Sequence, residues 1–506
     1  MKKIRSLSVI LAVLMALSCL VISVAADEGI AKSNNVIFVA NAGNDDNAGT
    51  ADAPVATMQK AVEKLQLDGG VIVVIGQVTI DSTNAVMPAH KGTITVTSFY
   101  DGVDYRSKNY GTEATGARLV LNNGTKCAFC LQGDYVFDYL DIAVNTNVKN
   151  CIIAAYYNDV TIGANVKTVF EGLDGTPWYT GTFACDEYPA VDPRAYAPIF
   201  LAGWNISDAQ GAGNITDHTT ITEPCTINVA GGTWQSVRMG DRDVPYRNIL
   251  DCAMTLNISG GIFTYWSAKY QNTNTNICVM AHYQSITTEN FLSTVNITGG
   301  TFYGEIGGFG TYGALSAGDK TENGSININI LGGEFYRYNT TDTYGPVIVP
   351  SQYLPAMTQT LEFGEKVLIT VSIDVSKVKI DSFEPNFTII GAEGLLAIKV
   401  NLSEKTDLVK LAGGLTEDDV TYGALAVDTP VVTEPVVTEA PVTQAPATDA
   451  PATDAPVTDA PAVVTTVAPA EPEVTPSTGD ASVMVVFAAA AVVAIAAVVV
   501  LKKREN

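Results

Sequence analysis

Along much of this chain single apolar residues alternate with polar ones in short runs that stop at glycine. The clearest run recurs four times. Ile227–Trp234 reads Ile-Asn-Val-Ala-Gly-Gly-Thr-Trp, and Leu256–Phe263 reads Leu-Asn-Ile-Ser-Gly-Gly-Ile-Phe. Val295–Phe302 reads Val-Asn-Ile-Thr-Gly-Gly-Thr-Phe, and Ile328–Phe335 reads Ile-Asn-Ile-Leu-Gly-Gly-Glu-Phe. A period of two puts the flanking apolar residues on one face and Asn228, Asn257, Asn296 and Asn329 on the other, as in a short strand. Gly-Gly then marks a turn that needs positive φ or close backbone approach. The aromatic that follows returns to the interior, where it can stack on its counterpart in the next copy. From Asn to Asn the steps are 29, 39 and 33 residues. Self-similarity at a period of about 20–50 residues indicates a solenoid, whose units bury their apolar side only by stacking. No amphipathic helical period lies between the copies. The uneven steps fit constant strands joined by variable loops.

Strand-like runs continue on both sides. Val36–Ala40 reads as a strand, and Asn41–Pro54 as a turn region in which Asp45-Asp46 does plain turn chemistry. Thr57 can cap a helix that carries Met58, Ala61, Val62 and Leu65 at i, i+3, i+4 and i+7. Gly69-Gly70 ends it, and Val71–Ile75 is a buried strand. Looser repeats follow at Thr93–Ser98, Arg118–Leu121, Tyr135–Val144, Cys151–Ala155 and Val160–Ile162. The Gly, Pro, Trp and Tyr-rich segment Glu171–Asn205 reads as a projecting loop. After Tyr338 the runs at Val347–Val349, Val367–Val375, Phe387–Ile390 and Leu395–Val400 are either more coils or a small β-domain.

The Asn-centred copies resemble the right-handed parallel β-helix of the pectate-lyase-like superfamily. The string Phe38–Thr50, with Ala-Pro-Val-Ala-Thr and the helix behind it, is similar to the N-terminal cap of many secreted β-helix proteins. The resemblance implies an all-β solenoid whose capping helix covers the open end of the apolar stack, which would otherwise expose strand edges.

Composition changes at both ends. Met1–Ala26 reads as a secretory signal, with Lys2, Lys3 and Arg5, the apolar run Leu7–Val24 and Val24-Ala25-Ala26 as a small-residue cleavage site. From Val427 Ala-Pro recurs every five residues, at Ala440, Ala445, Ala450, Ala455 and Ala460, with no aromatic residue to build a core. Such a disordered stalk, at about 3.1 Å per residue, reaches on the order of 150 Å. Thr475-Pro476-Ser477-Thr478-Gly479 precedes the apolar span Val483–Leu501 and Lys502-Lys503-Arg504. The span is long enough for a transmembrane helix with the basic cluster inside. This ending resembles the sortase sorting signal of Gram-positive surface proteins, Leu-Pro-any-Thr-Gly. Pro476, Thr478 and Gly479 match, and Thr475 stands where Leu is usual. The resemblance implies cleavage after Thr478 and transfer of its carbonyl to a peptidoglycan amine, with sortase and peptidoglycan as partners and the membrane held only before processing. The expected organisation is therefore 1–26 signal, 27–92 cap and first coils, 93–345 β-helix coils, 346–426 coils or a small β-domain, 427–474 stalk and 475–506 sorting signal.

A formal charge of −24 argues against nucleic acid and anionic membrane surfaces as partners. Seven cysteines follow the signal, an odd number that forbids a complete intrachain disulfide set, and buried thiols are the expectation.

Two candidate chemistries remain. The first is non-catalytic binding of a polysaccharide. Residues just after the inward aromatic include Tyr265, Trp266, Tyr303 and Tyr336, whose faces suit sugar rings, while Glu305, Arg337 and Arg238 can bond hydroxyls. The second is a lyase or hydrolase of acidic polysaccharide, as the superfamily resemblance implies. Its candidates are Arg238, Asp241, Arg242, Asp243, Arg247 and Asp251 within one loop, for which the plainer reading is a solvated, salt-bridged loop. A further cluster is Asp186, Glu187, Asp192 and Arg194. The polygalacturonase-type elements are absent from the sequence. No cofactor or metal is expected, and Ca²⁺ enters only if the chain is a lyase. Wall-anchored glycan binding or adhesion is the expected function.

Overall fold

The computed structural model describes residues 35–65, 68–81, 83–122, 128–144, 151–171, 197–204, 219–241, 248–264, 275–278, 286–307, 321–322, 324–336, 347–349, 362–363, 368–380, 387–391 and 397–425. The expected signal, stalk and sorting signal lie outside them, as does the span Val483–Leu501. Among the described residues no helix is long and apolar enough to cross a membrane. All of them belong to one unit, Met1–Thr438.

The described chain is almost entirely β, with parallel strands in long sheets, an arrangement compatible with a β-helix solenoid. One circuit shows the path. Cys225–Val229 lies in a twelve-stranded sheet, the chain bends at Gly231-Gly232, and Thr233–Trp234 enters a five-stranded sheet. Ser236–Arg238 follows in a nine-stranded sheet, and Ile249–Leu250 in a three-stranded one. Ala253–Ile258 then returns beside the starting strand, with Asn257 against Asn228. The long sheet repeats this step in parallel from Val36–Val39 to Val420–Tyr422. Strands between Val347 and Tyr422 pair into the same sheets as those before them.

The alternation in sequence becomes the inside and outside of the coil. Ile227, Leu256, Val295 and Ile328 are fully buried, and one apolar cluster runs without a break from Ile37 to Leu402. The aromatics after Gly-Gly enter it as well. Phe263 stacks on Phe302 with ring centroids 4.6 Å apart, and Phe302 stacks on Phe335 at 4.9 Å. Each Gly-Gly pair has a divided task. A Cβ on the first glycine, Gly260, Gly299 or Gly332, would collide with the carbonyl oxygen of Ala230, Ser259 or Thr298 in the preceding coil. The second, Gly261, Gly300 or Gly333, sits at φ of 89°, 96° or 103°, a region other residues rarely adopt.

The N-terminal end is closed by the helix Met58–Leu65, which buries Met58, Ala61, Val62 and Leu65. Thr57 Oγ1 accepts from the Lys60 amide at 3.2 Å. Asp45 holds the entry: its carboxylate accepts from the Ala56 and Thr57 amides at 2.8 and 3.0 Å and from the Thr57 hydroxyl at 3.0 Å.

Candidate functional site

The outer face of the long sheet carries the site. On strands Ala253–Ile258, Leu292–Ile297, Ser325–Ile330 and Leu368–Ile373 the outward residues form two rows in register. One row is Thr255, Thr294, Asn327 and Thr370, and the other is Asn257, Asn296, Asn329 and Ser372. Asn401 and Thr421 extend the second row. Strands about 4.8 Å apart therefore set a hydroxyl or amide at regular steps along the coil axis. With Tyr422, Gly423, Ala424 and Leu425 the members of both rows other than Asn257 line a groove of about 600 Å³. The lining offers neutral donors and acceptors and one phenol. Tyr422 is 37% exposed, and its hydroxyl donates to Glu417 at 2.6 Å.

The second row is a hydrogen-bonded ladder. Asn257 Nδ2 donates to Asn228 Oδ1 at 2.9 Å, Asn296 to Asn257 at 2.9 Å, and Asn329 to Asn296 at 2.8 Å. Asn228 donates in turn to the Thr161 hydroxyl at 3.1 Å. Every amide points its donor toward the N-terminal coils, so the dipoles add and polarise one another. Asn228, Asn257 and Asn296 each spend one N–H and one lone pair on the ladder, Asn329 donates one N–H to it, and Asn296 and Asn329 are buried.

Of the residues expected from sequence, the structure places Arg238, Asp241, Asp251, Tyr303, Glu305 and Tyr336, with Asp251 accepting from Asn290 Nδ2 at 3.0 Å. Arg238 and Asp241 are not on a solvated loop, and this is a correction. Arg238 ends the strand Ser236–Arg238 and is 5% exposed, while Asp241 is fully buried. The reason is register. Arg238 pairs with Leu201, which continues the covered apolar row of Cys130 and Ala154 on the outer face of the nine-stranded sheet. Arg238 Nε donates to Ser236 Oγ at 2.8 Å. The Asp241 carboxylate accepts from the Tyr157 hydroxyl and the Trp204 amide, both at 2.8 Å. Tyr156 and Tyr157 sit at φ of 55° and 61°, and Tyr156 stacks on Trp204 with centroids 5.6 Å apart. Sequence reading missed this assembly, because its members come from three separate coils.

Tyr303 is half-buried and stacks on Tyr336 at 5.4 Å, with the two in neighbouring coils. Tyr336 donates to Glu334 at 2.7 Å, and Lys379 bonds the same carboxylate at 3.0 Å. These two hydrogen bonds hold the Glu334 carboxyl below its ordinary range. Glu305 is half-buried on the strand Glu305–Gly307. Arg242, Asp243, Arg247, Tyr265, Trp266 and Arg337 lie outside the described residues, as do Asp186, Glu187, Asp192, Arg194 and the sorting residues Pro476, Thr478 and Gly479. The two hydroxyl and amide rows were half legible. Alternation alone puts the Asn row on the outward face, and the residue two positions earlier, Thr226, Thr255, Thr294 or Asn327, repeats the same signal.

Cys130, Cys151, Cys225 and Cys252 are buried free thiols. Burial pushes Cys130 and Cys252 up to about 11 and Cys151 up to about 12. No family model matches the chain, and neither a curated protein nor a solved structure matches it.

Proposed function

We propose that this chain is a secreted surface protein, a right-handed parallel β-helix that binds polysaccharide without cleaving it. Its Pro/Thr/Ala stalk carries the coil away from the cell. The ending with Pro476, Thr478 and Gly479 hands it to sortase for attachment to peptidoglycan. The observation that carries the binding reading is the groove, two rows of hydroxyls and amides backed by a rigid sheet. Neutral donors and acceptors on a preorganised face suit a ligand rich in hydroxyls, since little ordering is lost on binding. The Tyr303–Tyr336 pair adds an aromatic face nearby in sequence, of the kind sugar rings stack on.

A glycan array probed with the purified secreted chain tests the binding. Selective retention of polysaccharides is the expected result, and a blank array overturns it. Wall fractionation of cells making Thr478→Ala tests the anchor, with release from the peptidoglycan fraction expected.

A second reading is a lyase or hydrolase of acidic polysaccharide that uses Arg238 and Asp241. The observation favouring it is that a guanidinium and a carboxylate are buried near the end of one strand, beside two tyrosines. Release of unsaturated or reducing products from acidic glycans, abolished by Arg238→Ala, would replace the binding reading.

A further inference from the structure

We infer that this coil has one open end, its C-terminal one, and that a second copy of the chain caps it end to end. This stands apart from the binding reading above. In a solenoid each coil buries the inward side chains of the one before it. Ile389 and Val400 are fully buried and Phe387 is 1% exposed, each with one more strand beside it. Val409, Leu411 and Val420 hold the same inward positions one step later and are only half-buried. Ile380 does the same beyond Phe335. Strands Val378–Ile380, Val409–Ala412 and Val420–Tyr422 each come last in their sheets, so each keeps one edge without a partner strand among the described residues. The N-terminal end has no such face. The helix Met58–Leu65 covers it, and Val39 is fully buried. The edge of Val36–Val39 is also bonded: the Phe38 amide donates to the Gly49 carbonyl at 2.8 Å, and the Val55 amide to the Phe38 carbonyl at 3.0 Å.

The chain's own continuation is a poor cover for this end. After Val420–Tyr422 it turns sideways, so that Gly423, Ala424 and Leu425 line the groove on the long sheet's outer face. From Val427 the sequence is rich in proline, which brings no N–H to a strand edge, and has no base before Lys502. The last coil is itself acidic, with Glu404, Asp407, Glu417, Asp418 and Asp419 against Lys405 and Lys410, so it repels an acidic tail. A second copy brings what the tail lacks, the same apolar row and the same strand edges. Because the N-terminal end is closed, open end meets open end about a two-fold axis, a contact that stops at two chains. The face consists of residues 378–380 and 409–422, fewer than the roughly 20–30 a side of a standard interface. The dimer is therefore weak and reversible, with a Kd on the order of ten micromolar.

Sedimentation velocity of the purified secreted chain from about 1 to 100 μM is the test. A rising share of dimer, and nothing larger, is the expected result. Leu411→Asp puts a charge into the open face and should lower dimer affinity about tenfold or more. Lys410→Glu, exposed on the edge strand, disturbs the last coil less and should lower it about threefold. Lys91→Glu makes the same charge change at an exposed position far from that end and should leave the dimer unchanged. Since acids outnumber bases on the face, added salt should tighten the dimer. A monomer at every concentration, as a tail folded over the end would give, overturns the proposal. So do species that grow beyond two chains, a dimer indifferent to Lys410→Glu, an equal loss in Lys91→Glu, or a dimer that salt dissolves.

Discussion

At the scale of single residues, the repeated aromatic and the buried thiols make the sharpest claims. Phe302 is stacked on both sides, by Phe263 and Phe335, and fully buried. Phe302→Ala leaves a cavity between two coils that rigid backbone ladders cannot close. A loss of about 3–5 kcal/mol in urea unfolding is expected. A loss under about 1 kcal/mol would mean that the coils do not depend on the aromatic stack. Thiol chemistry offers a second check. Cys130, Cys151 and Cys252 are pushed well above the ordinary thiol range by burial, so little reactive thiolate forms near pH 8. Iodoacetamide should leave these three unlabelled in the native protein and label them fully in denaturant. Rapid native labelling of any of the three, read by peptide mass, would contradict their burial.

At the scale of elements, the cap is the part most open to a local test. The helix Met58–Leu65 spans only about two turns and is marginal alone, so it depends on its packed face and on its entry. Thr57 joins the two halves of that entry by donating to Asp45 and accepting from Lys60. Thr57→Ala should cost about 1 kcal/mol, as lost N-caps do. Asp45→Ala should cost more, because it orphans two backbone amides together with the Thr57 hydroxyl. Thermal melts of the two variants would reverse that order only if Asp45 were a bystander. In the turns between sheets the same economy appears. Gly-Gly recurs because the first position admits no Cβ beside the preceding coil and the second needs positive φ.

At the scale of the whole described unit, buried carboxylates set a pH dependence. Burial raises Asp138, Asp141, Asp159 and Glu113. For such groups the folded-state value exceeds the unfolded one. Their contribution is therefore fully present below the unfolded value and is lost as pH rises through the folded one. Asp104 runs the other way. Burial would raise it, but hydrogen bonds from the Arg106 side chain and backbone outweigh burial, so its contribution is lost as pH falls. Asp141 Oδ1 is buried and has no hydrogen-bond partner. Asp141→Asn should therefore raise the urea midpoint at pH 7, with the gain fading toward pH 4, where the wild-type carboxyl holds its proton. Equal gains at both pH values would show that its charge is not what burial penalises.

Much of this was readable in the chain. The four Asn-centred copies, their inward aromatics, the Gly-Gly turns and the cap with Met58, Ala61, Val62 and Leu65 all follow from local stereochemistry. Alternation sorts side chains to two faces, and glycine alone tolerates a close coil or a positive φ. Other features depend on which coils become neighbours. Arg238 and Asp241 looked like a wet loop, and only pairing with Leu201 and the approach of Tyr157 and Trp204 buried them. The groove arises in the same way. Asn257, Asn296 and Asn329 are 39 and 33 residues apart along the chain, and only the register of three coils makes them one amide ladder. The wall from Tyr422 to Leu425 is placed by the last strand's return to the sheet. A period in sequence states which side of a strand each residue takes, but loop lengths vary freely between strands, so only the packed coil decides what stands beside it.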